Sequence, residues 1–317
     1  MTINRGQIRK QTIPGLNAIL GASYGSVPEQ HTALFEIENS DRSFEEEVMF
    51  TDLGNAPVKT EGSSVQYDDM QETWTSRYVH ETISLAFSIT EEAMEDNLYD
   101  TFAKVRAKAL GRSMAQTKQI KAAAVFNNGF SSSYLGGDGV ALFSSSHPTI
   151  GDGNQSNTTN TDLSESALET ATINISLFKD ERGKLINAMA QSLHIPPQLM
   201  YTAHRILHST LSTTVNSSQA SGFGAAGDGV AAKNDINALR SMSVLPGGVF
   251  VNHYFTDTNA WFLKTNISNG TKMFVRRPLS YNDDVDFNTG NILYKVSERY
   301  SFGWSDWRNW YGSSGST

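Results

Sequence analysis

The chain has 317 residues, of which 38% are hydrophobic, and its formal net charge is −8. This length fits one large or two ordinary domains, and the low hydrophobic share favours extensive loops or burial against neighbouring subunits. The acidic balance argues against a dedicated nucleic-acid binder, which normally has a basic face. The chain has no cysteine, which excludes disulfides, cysteine-bound zinc and a thiol nucleophile.

Residues 1–30 are predicted to form an extended N-terminal arm with one short helix at Leu16–Leu20, because Pro14 and nearby glycines interrupt any longer element. Arg5 and Arg9 are basic residues of this arm, and we expect them to contact another subunit. No apolar segment follows them, and no run approaches the roughly 18 apolar residues of a membrane span. We therefore expect a soluble protein without a membrane partner.

The segment 31–80 has short alternating apolar and polar runs, which predict a long β-hairpin over roughly Phe35–Tyr78. A lone hairpin is marginally stable in water and needs another surface to lie on. We therefore predict that its polar tip, residues 55–64, contacts a neighbouring subunit. The candidate contact residues in this tip are Asn55, Pro57, Lys59 and Glu61.

The clearest predicted helix is Ser88–Phe126, in which Ser88 and Glu91 have the spacing of a capping box and Thr90 is a rival N-cap. Its acidic residues precede its basic ones, an order that suits the helix dipole. Leu98 and Phe102 belong to its apolar stripe, and we expect both to be buried. At 1.5 Å per residue this helix is roughly 50 Å long, which is the length of a spine rather than of a helix inside a compact core.

The stretch Asp138–Pro148 lies between two predicted helices. Its apolar run Val140–Phe143 is long enough for one buried strand, and the proline that follows ends it. A polar tract at residues 151–161 is predicted to be a surface excursion. Asp162 and Glu165 then have the spacing of a second capping box.

The last 150 residues are predicted to alternate short strands with helices, and tryptophans near the C-terminus are predicted to pack it down. The predicted helices contain Leu168–Phe178 and Ala203–Leu211, and the tryptophans are Trp304, Trp307 and Trp310. The predicted strands are Leu193–Met200, Val244–Pro246, Val249–Val251, Asn259–Leu263, Lys272–Val275, Ile292–Val296 and Tyr300–Trp304.

No pattern for catalysis, cofactor binding or metal binding survives comparison with a simpler explanation. His204 and His208 share a helix face, but two polar residues on a half-exposed helix are the favoured interpretation. The acidic cluster Asp283–Asp286 does not fit a calcium loop. The Arg276-Arg277 pair favours salt bridges over phosphate binding. We therefore expect neither an enzyme nor a cofactor.

Several phrases in a shared order resemble the major capsid proteins of tailed phages, in particular the Mu-like head subunits. The resemblance implies an α+β HK97-like capsid fold with an N-terminal arm, an extended hairpin loop, a long spine helix in a peripheral domain, and an axial domain. The phrases are Asp138–Pro148, Asp162–Glu165, Ile195–Leu199, Asp257–Leu263 and Phe302–Arg308.

The resemblance implies a self-assembling subunit of the icosahedral shell around a double-stranded DNA genome, which the acidic wall encloses without sequence-specific binding. The expected partners are further copies of the chain in pentamers and hexamers, a separate scaffolding protein, a portal and a decoration protein, assembled in the host cytoplasm. An encapsulin-like compartment and a β-rich carbohydrate-binding phage protein are the alternatives. The expected domains are 1–30 (arm), 31–80 (hairpin loop), 81–130 (peripheral), 131–255 (axial) and 256–317 (return strands).

Overall fold

The structure is a computed structural model, and it describes residues 5–90, 92, 99–151, 153–211, 236–286 and 288–315. The chain divides into two compact units, each built from three segments. Within the described ranges, no helix is both long enough and apolar enough to cross a membrane. Unit 1 contains Met1–Glu45, Arg77–Ala123 and Lys272–Gly303, and unit 2 contains Glu46–Ser76, Ala124–Thr271 and Trp304–Thr317. The domain boundaries drawn from the sequence stay predictions.

Unit 1 is built on a four-stranded sheet and two long helices. Its elements are α1 (Arg5–Tyr24), α2 (His31–Leu34), β1 (Glu36–Asn39), β4 (Glu81–Ile89), most of α3 (Tyr99–Asn127), β11 (Thr271–Val285) and β12 (Ile292–Trp304). The strand order is β1-β11-β12-β4; β1 runs parallel to β11, and β12 runs antiparallel to β4.

The 29-residue helix α3 confirms the predicted spine, with a length of about 44 Å. Small and apolar side chains recur on its inner face at helical spacing, and they pack against two side chains of β12. The residues of this contact are Ala103, Ala107, Leu110, Met114, Tyr294 and Val296. Leu98 and the side chain of Phe102 lie outside the described residues, so their burial stays a prediction.

The predicted start of the spine helix was wrong. Ser88 lies in β4, where it pairs with Leu293 of β12, and it therefore does not cap a helix. The apolar residues Ile83, Leu85 and Phe87 alternate with period two, and pairing with β12 decided the segment in favour of a strand.

The N-terminal segment also differs from its prediction, because α1 is a 20-residue helix and not an arm with one short turn. Leu16 and Leu20 are buried in the apolar cluster of unit 1. The hydroxyl of Tyr294 donates a hydrogen bond to Asn17. Tertiary packing therefore outweighs the cost of the proline within the helix.

Helix α1 crosses α3 at Gly111. A Cβ atom at Gly111 would lie 2.7 Å from the carbonyl oxygen of Leu20 and 3.2 Å from the backbone nitrogen of Tyr24. Both are backbone atoms and cannot rotate away, so only glycine permits this close approach of the two helices.

Gly111→Ala should lower the free energy of unfolding by about 1–3 kcal/mol, because the added methyl group forces α1 away from α3. Urea unfolding followed by circular dichroism measures the change. Gly15→Ala is the matched control, because nothing lies within 4 Å of that position and alanine favours a helix. Equal stability of the Gly111→Ala variant and the wild type would contradict the assigned crossing.

The predicted hairpin is shorter than expected. Its strands are β2 (Phe44–Phe50) and β3 (Glu72–Val79), which form a separate two-stranded sheet. The segment at Phe35 is not part of it, because β1 pairs with β11 instead. The acidic run Glu45–Glu47 lies inside β2.

Unit 2 contains a five-stranded sheet with the order β7-β13-β10-β8-β9. Within the described residues, three helices and two short 3₁₀ turns accompany it. Of the C-terminal tryptophans, Trp307 and Trp310 are buried as predicted, whereas Trp304 is half-buried. The elements are β5 (His147–Pro148), β6 (Asn154–Gln155), β7 (Thr158–Thr159), α4 (Glu165–Ser176), β8 (Ala190–Ile195), a turn at Pro197–Leu199, α5 (Met200–His208), α6 (Ala238–Ser241), β9 (Gly248–Val251), β10 (Trp261–Thr265), a turn at Trp307–Asn309 and β13 (Trp310–Ser313).

Several local predictions for unit 2 were wrong in detail. Val140–Phe143 contains buried residues but is not a strand, because its backbone bends and does not pair with a strand of the sheet. Ser164, and not Asp162, caps α4 by accepting a hydrogen bond from the backbone of Ala167. Val244–Pro246 forms no strand, and the strand predicted over Leu193–Met200 ends at Ile195 before a proline-started turn.

The buried histidine His194 lies on β8, an inner strand of this sheet. Its ring packs 5.0 Å from the ring of Phe250 and 5.0 Å from that of Trp310, and its Nε2 lies 2.9 Å from the Ser192 hydroxyl. Burial, assisted by the charge of Lys264, lowers its pKa from 6.5 to about 3.

The stability of the protein should therefore fall as the pH falls from about 6.5 toward 3. In this window the unfolded chain binds a proton at His194 and the folded chain does not, so this residue contributes a slope of up to about 1.4 kcal/mol per pH unit. His194→Gln should reduce the slope, measured by urea unfolding between pH 7 and 4.5. The exposed His204→Gln is the control, and an unchanged slope in His194→Gln would contradict the assignment.

Candidate subunit-contact loop and its anchor

The connection between β2 and β3 is a long exposed loop. Every residue from 52 to 72 is exposed, and the side chains of Val58 and Tyr67 are 94% and 93% exposed. Val65 and Met70 are also more than half exposed. Apolar side chains that project from an extended loop are costly in water, so this loop has the character of an uncovered contact surface.

The base of the loop is closed by hydrogen bonds from buried Thr51. Its backbone N–H donates to the carbonyl of Gln71 at 2.8 Å, and its hydroxyl accepts from the N–H of Gln71 at 2.9 Å. The hydroxyl of Thr73 donates to the carbonyl of Met49 at 2.9 Å. These bonds end the hairpin and fix where the free part of the loop begins.

An ion pair then clamps the returning side of the loop to Arg182 of the same unit. The guanidinium of Arg182 bonds both carboxylate oxygens of Asp68, and it donates to the Asp69 carbonyl at 3.2 Å. Asp68 also accepts from the N–H of Gly54 at 2.6 Å, which joins the two sides of the loop. The Arg182 hydrogen bond, followed by that of Gly54, lowers the pKa of Asp68 to about 2. The clamp is therefore kept until the pH falls toward that value.

Arg182→Gln should free the loop without unfolding the protein. We expect trypsin to cleave after Lys59 several-fold faster, while the thermal midpoint changes little, because exposed ion pairs contribute little to stability. Lys184→Gln is the matched control, since Lys184 pairs with Asp180 on the same turn and has no contact to the loop. Equal acceleration in both variants would exclude a clamp at Asp68.

The hairpin is also anchored on the segment before the last strand. The indole N–H of Trp74 donates to the Ser305 carbonyl at 3.2 Å, and the Ser305 hydroxyl donates to the carboxylate of Glu47. Both strands of the hairpin therefore form hydrogen bonds with Ser305, which fixes their direction.

Unit 2 also contains a buried polar network around His147. Its Nδ1 lies 2.6 Å from Asp138 and its Nε2 lies 3.0 Å from the side-chain oxygen of Asn157, while the ring stacks on Trp307 at 4.3 Å. The amide nitrogen of Asn157 donates to the carbonyls of Leu142 at 2.8 Å and of Trp310 and Trp307. Asn157 was predicted to lie in a surface excursion, and it is instead fully buried.

Arg308 extends the network on the other face of Trp307. Its guanidinium lies 4.5 Å from the ring centroid, bonds Glu181, and donates to Asp306 at 3.3 Å. The Nε of Arg308 donates to the Lys179 carbonyl at 2.8 Å. A buried charge is tolerated only when it is paired, and these charged groups pair with one another. We therefore assign this network a structural role.

The other candidates are placed as follows. His204 and His208 are exposed on α5, with ring centroids 4.5 Å apart. Asp286 accepts bonds from Asn288 and Thr289 and caps a turn. In the described part of the chain, no three His, Cys, Asp or Glu side chains converge on a metal position. Arg276 lies 3.9 Å from Asp41, and Arg277 donates to Ser297.

The structure places the predicted contact residues Asn55, Pro57, Lys59 and Glu61 together on the exposed loop. Their contact with a neighbour stays a prediction. Arg5 and Arg9 lie on α1, but their side chains are outside the described residues. No sequence pattern indicates the Arg182–Asp68 clamp, because 114 residues separate the two partners.

Comparison with known proteins identifies the family. The family described as "Phage capsid protein" matches residues 72–313. No curated protein matches the chain. A virus-like particle from Pyrococcus furiosus is 10% identical, with a TM-score of 0.54, over 95% of this chain and 98% of that chain.

Two further capsid structures have the same fold. The capsid of a native GTA particle is 10% identical, with a TM-score of 0.52, over 92% of each chain. The procapsid of bacteriophage JBD30 is 12% identical, with a TM-score of 0.51, over 98% of this chain and 76% of that chain. The α+β, HK97-like fold is thereby confirmed. The chain belongs to the phage capsid protein family, and it is a structural protein of the phage head.

Proposed function

We propose that this protein is a Mu-like major head subunit whose exposed loop joins neighbouring copies in pentamers and hexamers. The observation that carries the proposal is the loop itself, which is fixed at its base and exposed along residues 52–72. Rigid anchoring lowers the entropy lost when the tip docks, so modest contacts suffice for association.

In such a shell, many repeated modest contacts hold the subunits together, and no single tight pairwise contact is needed. Each copy contributes one loop and receives one, and a closed shell multiplies these contacts around its symmetry axes. A separate scaffolding protein, a portal and a decoration protein are the remaining proposed partners, and the host cytoplasm is the proposed place of assembly. The genome is enclosed without reading its sequence.

A second candidate is an encapsulin-like compartment with a protein cargo. The likeness to a structure described as a virus-like particle, over nearly the whole of both chains, supports it. Nuclease-treated shells from infected cells distinguish the two, since protected DNA indicates a phage head and protected enzyme indicates a compartment. The β-rich carbohydrate-binding alternative was wrong, because the chain belongs to the capsid family.

Deleting the loop tip, residues 55–64, should leave a folded subunit that no longer closes shells. The expected result is an unchanged thermal midpoint with only small species in negative-stain microscopy and size-exclusion chromatography. A Gly/Ser replacement of the same ten residues is the control for loop length, and it should also fail if side chains make the contact. Normal shells from the deletion would contradict the proposal.

A further inference from the structure

Two histidines of α5 lie side by side on the surface of unit 2. His204 and His208 are one helical turn apart, both are exposed, and their ring centroids are 4.5 Å apart. Apart from this ring contact, neither imidazole has a hydrogen bond or an ion pair among the described residues. Both rings are therefore available to bind an external group. We call these two residues the histidine pair.

The separation of the two rings fits two neighbouring ligands of one metal ion. With a metal–nitrogen distance of about 2.0 Å, the ion lies about 3.2 Å from the centroid of each imidazole. Two such ligands at about 90° to each other then place their centroids about 4.5 Å apart, and tetragonal copper and nickel sites have this angle. The rings of the histidine pair have this separation.

The surroundings of the histidine pair favour a late transition metal. Both histidines line a groove of about 570 Å³, and so does Met200, one turn before His204. Among the described residues that line this groove, none is Asp or Glu. Imidazole and thioether ligands suit copper, nickel and zinc, whereas Mg²⁺ and Ca²⁺ prefer oxygen ligands. Arg240 also lines the groove, and its guanidinium donates to the backbone carbonyl of His208 at 3.1 Å.

We propose that the histidine pair is a surface site for a divalent late transition metal ion, with Cu²⁺ bound most tightly. Copper has the highest affinity of this series of ions for a given set of nitrogen ligands. The two imidazoles fill two neighbouring positions of the ion, and water fills the others. An ion held across one turn stabilises α5, which has nine residues, because short helices are marginally stable by themselves.

Titration of the full-length protein with CuCl₂, in a buffer that does not bind copper, tests the site. The wild type should bind one Cu²⁺ at this site. His204→Gln and His208→Gln should each weaken this binding by about 100-fold, because the second ligand of a linked pair binds intramolecularly. His253→Gln, which removes an exposed histidine outside α5, is the control and should bind like the wild type. Electron paramagnetic resonance of the copper complex should show coupling to two imidazoles in the wild type and to one in His208→Gln.

A second control keeps two histidines on the helix and changes their spacing. His208→Gln combined with Arg205→His places the imidazoles at adjacent positions, which do not face each other on a helix. This double variant should bind Cu²⁺ as weakly as His208→Gln alone. Both positions are exposed, so the thermal midpoint without metal should stay close to that of the wild type.

Three results would overturn the inference. They are wild-type copper affinity in His204→Gln, wild-type affinity in the double variant with adjacent histidines, or displacement of Cu²⁺ by an equal concentration of Mg²⁺. The site does not require assembly into shells, so its failure would leave the proposed function unchanged, and failure to form shells would leave the metal site unchanged.

Discussion

The fold of unit 2 depends on the buried side chain of Asn157. Its amide group bonds the backbone of Ser144 and Leu142 on one side and of Trp310 on the other, so backbone groups far apart in sequence share one partner. A buried backbone group without a partner costs about 1–3 kcal/mol, and Asn157 satisfies several at once. The Asn157 amide therefore adds to the pairing of β13 with β7 in joining the C-terminal strand to the middle of the chain, with His147 stacked on Trp307 beside it.

That network also explains how an exposed loop has a defined direction. Trp307 and Arg308 fix the segment that contains Ser305, and Ser305 bonds both strands of the hairpin. Stability is concentrated in the buried groups, while the loop retains few contacts beyond the Arg182–Asp68 clamp. The exposed loop is thus supported by a buried and extensively hydrogen-bonded part of the molecule.

Much of the architecture could be predicted from the sequence, because periodicity reports burial directly. The spine helix, the hairpin and the exposed tip follow from period-four and period-two patterns and from turn residues. The long α1 could not be predicted, since its proline argues against a helix and its stabilisation comes from packing at Gly111. The change from the predicted helix to a strand at Ser88 was missed because it depends on pairing with β12, about 200 residues away in the sequence. Asn157 was missed because an asparagine in a polar tract looks the same whether it is exposed or buried.

The candidate site likewise contains features that depend on local sequence and features that depend on distant residues. The tip residues were predictable because exposure and turn chemistry are local properties, whereas the clamp depends on a turn 114 residues away. Net charge alone gave a misleading picture, since −8 is the sum of a nearly neutral unit and a strongly acidic one.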